Sequence, residues 1–157
     1  MNDQMKKKLK LKVSAIQNGT VIDHIPSENL FKVITILGLD KINNQITFGA
    51  NFESQKLGSK AIIKVSDKFF EDEEINKIAL IAPHAKLNII RDYEVAEKRI
   101  VEVPEEVIGI VKCFNPKCIT NFEPMVSRFK VTSKSPIDLK CRYCEKITHE
   151  DQIVIKQ

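Results

Sequence analysis

The segment CFNPKC, Cys113 to Cys118, and its counterpart CRYC, Cys141 to Cys144, contain all four cysteines of the chain. Two close pairs separated by a stretch long enough to fold back can present four sulfurs to one tetrahedral ion, and the residues between them can form antiparallel strands. Thiolates are soft ligands, and zinc accepts four of them without a geometric penalty; iron is the chemical competitor. The spacing predicts one Zn2+ per chain, held by Cys113, Cys118, Cys141 and Cys144. With every position taken by sulfur no place remains for water or substrate, so the predicted role is structural. Two disulfides are the competing reading, and they require an oxidising compartment and usually a secretory signal. The stretch MNDQMKKKLKLKVSAI is basic but has neither the apolar segment nor the small-residue cleavage site of such a signal.

Working outward from the cysteines, the chain divides. They occupy the last third of 157 residues, while the first two thirds carry regular apolar patterning and no cysteine. Pro104 with Glu105 and Glu106 marks the boundary, giving units at 1–103 and 104–157. In the second unit Val107 to Val111, Arg128 to Val131, Ile137 to Lys140 and Ile153 to Ile155 read as short strands, with a turn at Ser133 to Pro136. A core this small depends on its metal.

The first unit alternates strands and helices. Leu11 to Ile16 reads as a strand broken by Asn18 and Gly19, and TVIDHIP, Thr20 to Pro26, sets Asp23 and His24 side by side between isoleucines. An acid and an imidazole in apolar surroundings need partners, which each other or nearby backbone can supply. Leu30, Phe31, Ile34 and Leu37 recur at helical spacing up to Gly38, and Gln45 to Phe52 then switches to alternation. Lys60 to Val65 is another strand, Glu71 to Ala82 a second helix with an acidic first turn, and Lys86 to Arg91 the next strand. The order strand, helix, strand, strand, helix, strand predicts an α+β, ferredoxin-like βαββαβ domain, with both helices on one face of an antiparallel sheet. The small antiparallel β metal domain follows it.

That topology assigns faces. The helices are expected to cover Val13, Ala15, Ala61, Ile63, Leu87 and Ile89, leaving Ser14, Lys60, Ile62, Lys64, Asn88 and Ile90 on the open face. Ammonium groups suit phosphates and short apolar surfaces suit a flat base, so an anionic, partly aromatic small molecule such as a nucleotide matches this face; an ordinary solvated sheet face matches it equally. The net charge of +4 comes from lysines mixed with acids, which does not point to nucleic acid, and no apolar run is long enough to span a bilayer. The composition predicts a soluble, cytoplasmic protein with neither nucleic acid nor membrane as partner.

GTVIDHIP (Gly19 to Pro26), GSKAIIKV (Gly58 to Val65), NIIRDYEV (Asn88 to Val95) and the cysteine site with its four-residue first knuckle and CRYCEK (Cys141 to Lys146) occur in this order. Together they resemble one family, the regulatory chain of aspartate carbamoyltransferase, over nearly the whole chain. The resemblance implies a non-catalytic regulatory subunit in pyrimidine biosynthesis. Its N-terminal allosteric domain would bind nucleoside triphosphates, with CTP the usual inhibitor and ATP an activator, and its zinc domain would dock on the catalytic chain. It further implies regulatory-chain homodimers, three of them joined to two catalytic trimers.

Carried over by motif, Asp23 would contact ribose, and His24, Lys98 and the neighbourhood of Ser14 would lie near phosphates or base. Lys64 would reach ribose and phosphate oxygens, while Ile16, Asn88, Ile90, Tyr93 and Val95 would line the base and sugar pocket, with Lys60 and Ile62 on the same face. Asn115 and Glu145 would contact the catalytic chain. Ser14 stands where the best-known members carry an acid, which changes the polar contact there, and Phe114 and Lys117 differ from the enteric pattern.

Two readings from other classes compete. A zinc-ribbon nucleic-acid binder accounts for the basic charge and the cysteines but leaves Asp23, His24 and the lysine face unexplained. A freestanding nucleotide sensor with the same fold would differ in lacking a catalytic partner. An enzyme is disfavoured because His24, His84 and His149 are scattered, no cysteine is left as a nucleophile, and the metal has no open position.

Overall fold

The computed structural model describes residues 16–156. Ser14 and the strand expected at 11–16, Ile16 excepted, therefore lie outside the described residues. The first described strand is instead β1, Gly19–Pro26. Gly19, read from sequence as a breaker, is where this strand begins. It adopts a φ of 143°, and a Cβ there would run into the carbonyl oxygen of Val65, so only glycine lets the chain enter the sheet this closely.

A 3₁₀ turn at Ser27–Asn29 leads into α1, Leu30–Ile36. That turn sets the helix phase: Leu30 and Val33 are buried, whereas Phe31, expected on the inner stripe, is 68% exposed and packs edge-on against Phe48 with ring centroids 5.9 Å apart. Next come β2, Ile46–Ser54, and β3, Gly58–Ser66. The expected half-buried alternation of β2 is not realised, because it is an edge strand with a register shift between Gly49 and Phe52 that leaves Phe48 and Phe52 exposed.

The helix expected over 71–82 is split into α2, Asp72–Asn76, and a 3₁₀ segment, Lys77–Leu80. Glu71 caps α2 through a reciprocal box with Glu74. The tighter winding buries Ile78, Ala79 and Leu80 in succession, more apolar positions than one α-helical stripe holds. β4, Lys86–Arg91, falls where the alternation puts it, and it is followed by β5, Glu94–Ile100.

All pairs in this five-stranded sheet are antiparallel, in the order β2-β3-β1-β4-β5. The first four strands reproduce the split βαβ arrangement, and β5 adds an edge. Ile22, Ile25, Ala61, Ile63, Val65 and Leu87 share one buried cluster with Leu30, Val33, Ile75 and Ile78 of the helical segments, so both helices cover one face.

The strand expected over 107–111 is broken at Gly109, whose φ of 74° lets the chain turn between sheets. β6 is Glu106–Ile108, β7 Val111–Lys112, β8 Arg128–Lys134, β9 Ile137–Cys141, β10 Ile147–His149 and β11 Val154–Ile155. β6 joins the sheet β10-β9-β8-β6, and β7 pairs with β11. Val107, Phe129, Val131, Ile137 and Leu139 form the core between them and the cysteines. Among the described residues no helix is long and apolar enough to cross a membrane.

Candidate functional site

In a regular strand Asp23 and His24 would point to opposite faces. Here the register of β1 against β3 shifts between Ile22 and Ile25, and His24 takes a φ of 61°, a bulge that turns both side chains toward one cavity. The Asp23 carboxylate closes the bulge by accepting the His24 backbone N–H at 2.6 Å. It also receives Lys60, whose Nζ lies 3.1 Å from Oδ1. The Nδ1 of His24 is shut off from solvent without a hydrogen-bond partner among the described residues, 3.6 Å from Asp23 Oδ2. Burial pushes its pKa below the ordinary 6.5; Asp23 opposes the shift and Lys60 and Lys86 reinforce it.

Register orders the rest of the open face into rows. Lys64 of β3, Val21 of β1, Asn88 of β4 and Lys98 of β5 are successive partners across four strands. Two residues along β4 in one direction, Lys86 pairs with Asp23 and Ile100; in the other, Ile90 pairs with Gly19 and Val95. A cavity of about 510 Å³ lies over the charged end, lined among others by Asp23, His24, Lys86, Asn88 and Lys98.

Of the residues singled out from sequence, Asp23, His24, Asn88 and Lys98 meet in this cavity, and Lys60 joins them through Asp23. Lys64 shares the row of Asn88 and Lys98, while Ile62 and Val95 lie on the same sheet outside the cavity lining and Ile90 is buried. Tyr93, 66% exposed, sits at the β4–β5 turn, where its N–H donates to the carbonyl of Gln17 and so ties the turn to the segment carrying half-buried Ile16. Sequence reasoning missed Lys86, although the two-residue period that groups Asn88 with Ile90 includes it.

The second cluster stands at the ends of β7 and β9. The four cysteine sulfurs lie within 4.8 Å of one another, with Cys113–Cys144 and Cys118–Cys141 each at 3.7 Å. A tetrahedron with metal–sulfur bonds of about 2.3 Å has an edge of about 3.8 Å, so the thiols fit a metal; a disulfide would need about 2.05 Å. Turn hydrogen bonds aim them: the Cys118 N–H donates to the Asn115 carbonyl at 3.0 Å, and the Glu145 N–H to the Cys141 carbonyl at 3.0 Å. Glu145 is exposed with a φ of 63°, and Asn115 is half-buried.

The longer first knuckle has a brace that sequence reasoning also missed. The Asn121 side-chain amide donates to the carbonyls of Cys113 at 3.2 Å and Asn115 at 2.8 Å. Burial pushes the Cys113 and Cys141 thiols up. It acts the same way on Cys144, but hydrogen bonds from the Lys146 backbone and the Asn115 side chain prevail and bring that thiol down to about 7. A metal entering here must displace protons, which its bonds to sulfur repay.

Comparison with known proteins covers both parts. Residues 11–102 match the family described as aspartate carbamoyltransferase regulatory chain, allosteric domain, and residues 105–154 match its metal binding domain. The aspartate carbamoyltransferase regulatory chain of Parabacteroides distasonis is 59% identical over 150 residues, 96% of this chain and 97% of that protein. The regulatory chain of Phocaeicola vulgatus is 62% identical over 136 residues, 87% of this chain and 88% of its own length. That of Thermococcus sibiricus is 57% identical over 144 residues, 92% and 95% of the two chains. Both domains and nearly the full length being shared, the chain belongs to the aspartate carbamoyltransferase regulatory chain family, an allosteric domain followed by a metal-binding domain.

Proposed function

We propose that this chain is the non-catalytic regulatory subunit of a cytoplasmic aspartate carbamoyltransferase. It binds CTP and ATP on the open face of the 1–103 unit and passes their effect to catalytic chains docked on the 104–157 unit. The observation that carries the nucleotide reading is the row Lys64–Val21–Asn88–Lys98 beside the Asp23 and His24 bulge. Cations there suit phosphate oxygens, Asp23 suits ribose hydroxyls, and the exposed Val95 and Tyr93 offer apolar surface to a base.

Zinc is the metal best suited to four thiolates, and with no open position it would hold the two knuckles together and take no part in chemistry. Asn115 and Glu145 stand on those knuckles, flanked by exposed Phe114, Ile119 and Phe122, which suits a docking surface for the catalytic chain. The β2 edge, with Phe48 and Phe52 exposed on it and Phe31 of α1 packed against Phe48, suits pairing with a second regulatory chain, and dimers of this kind would join catalytic trimers as three with two.

The test is reconstitution with the catalytic chain. Nucleotide should change the affinity of a bisubstrate analogue, and the analogue should change nucleotide affinity by the same factor, a coupling of about 1–3 kcal/mol. Tight nucleotide binding with no coupling in either direction would reduce the chain to a nucleotide-binding scaffold. Native mass spectrometry of the co-expressed complex reads the stoichiometry and counts the metal.

A further inference from the structure

One cation at the cavity has no part in the reading above. Lys86 is exposed at the start of β4, on the face of Asn88 and Ile90, with Asp23 beside it on β1 and Ile100 on β5. The neighbouring positive groups are differently occupied. Lys60 is held at 3.1 Å by Asp23, and the Arg99 guanidinium by Glu97 at 3.0 Å and Asp72 at 3.2 Å. Among the described residues Lys86, like Lys98 on β5, enters no ion pair.

Position along β4 matters as much as charge. Alternate residues are about 6.8 Å apart, so this face passes from Ile90 through Asn88 to Lys86 over about 14 Å. Val95 flanks the first, Lys98 the second, and the Asp23 and His24 bulge the third. The surface is apolar at one end and cationic at the other. A nucleotide with its base against Val95, the exposed partner of Ile90, would direct its tail along this line, so a single phosphate would stop in the Lys98 row and only a longer tail would arrive at Lys86.

We propose that Lys86 reads the length of the phosphate tail, gripping the terminal phosphate and setting the preference for triphosphate over monophosphate. The inference rests on the nucleotide-binding reading and adds to it a residue that decides among nucleotides. A flexible ammonium suits this role because it can follow a mobile terminal phosphate with three donors.

Calorimetry on the full chain with CTP, CDP and CMP tests it, using wild type, Lys86→Ala and Lys86→Arg. Losing one charge-assisted contact should weaken CTP about tenfold or more in Lys86→Ala. CMP binding should stay unchanged and Lys86→Arg should recover most of the CTP affinity. Thermal unfolding of each ligand-free variant checks that the sheet is intact. Wild type binding all three nucleotides, with Lys86→Ala losing none of them or all equally, overturns the role of Lys86 alone. Wild type binding none overturns the nucleotide reading itself and this inference with it.

Discussion

Lys60 straddles the carboxylate of Asp23, its Nζ 3.1 Å from Oδ1 and 3.2 Å from Oδ2, with both side chains mostly buried. Neither charge would act on a bound nucleotide independently of the other. Lys60→Ala alone would leave an uncompensated carboxylate next to incoming phosphates, whereas Lys60→Ala with Asp23→Ala would remove both. A double-mutant cycle on CTP binding should therefore give a coupling energy of about 0.5–3 kcal/mol. Additive losses would mean that the pair does not act as a unit.

Lys64 and Lys98 end the row that crosses four strands. Replacing either by Ala should cost roughly 1.5–3 kcal/mol of triphosphate binding, tenfold or more in affinity. Titration calorimetry with CTP and ATP reads it directly, and unchanged binding in both variants would remove the site from this face.

Cys141 ends β9, and its sulfur lies 3.7 Å from that of Cys118. Cys141→Ser, or a strong chelator acting on the wild type, should release the metal and abolish association with the catalytic chain. Nucleotide binding by the 1–103 unit should survive, since none of the four cysteines lies on the five-stranded sheet. Metal analysis and gel filtration with catalytic chain check both halves; assembly that persists after the metal has gone would contradict the structural role.

Asn121 makes the same kind of commitment without touching the metal. Its amide serves two carbonyls of the first knuckle, and leaving them unpaired should cost about 1–3 kcal/mol. Asn121→Ala and Asn121→Asp, which both lose the donor, should release metal faster to a chromogenic chelator than wild type does. Equal release rates would show that the backbone turns alone hold the knuckle.

His24 gives a pH signature. With the folded pKa depressed by burial below the ordinary 6.5, the unfolded chain binds more protons over that interval, so stability rises with pH through it. The contribution is complete above 6.5 and is lost as pH falls through the lower folded value. His24→Gln should flatten the pH dependence of urea unfolding on the acid side of 6.5, and an identical profile in the variant would place the neutral imidazole outside the folded-state balance.

The parts of this architecture that bury apolar side chains at a regular period were readable in the chain itself. Ala61, Ile63 and Val65 on β3 and Leu87 on β4 fall on the covered face, as their alternation implies. β5 was not readable, because EVAEKRI buries nothing and only Arg99 is even half-covered, so no hydrophobic period existed to detect. The cysteine spacing pointed to the four-sulfur cluster, but not to Asn121, whose role depends on a 3₁₀ turn at Ile119–Asn121 that folds its amide back over the knuckle. Asp23 and His24 were conspicuous as a pair, yet their common direction comes from a left-handed backbone at His24, to which side-chain periodicity is blind.

The row Lys64–Val21–Asn88–Lys98 takes one residue from each of β3, β1, β4 and β5, and no two of its members are adjacent in the chain. A molecule gripping it would cross-link the sheet at right angles to its strands, working with the backbone ladder. Such a crosspiece resists shear between strands as well as separation, so effector occupancy should stiffen the whole domain, beyond the cavity. The sheet could then act as a plate that tilts as one piece, and the 1–103 unit would hand a rigid displacement to whatever is attached at its far end.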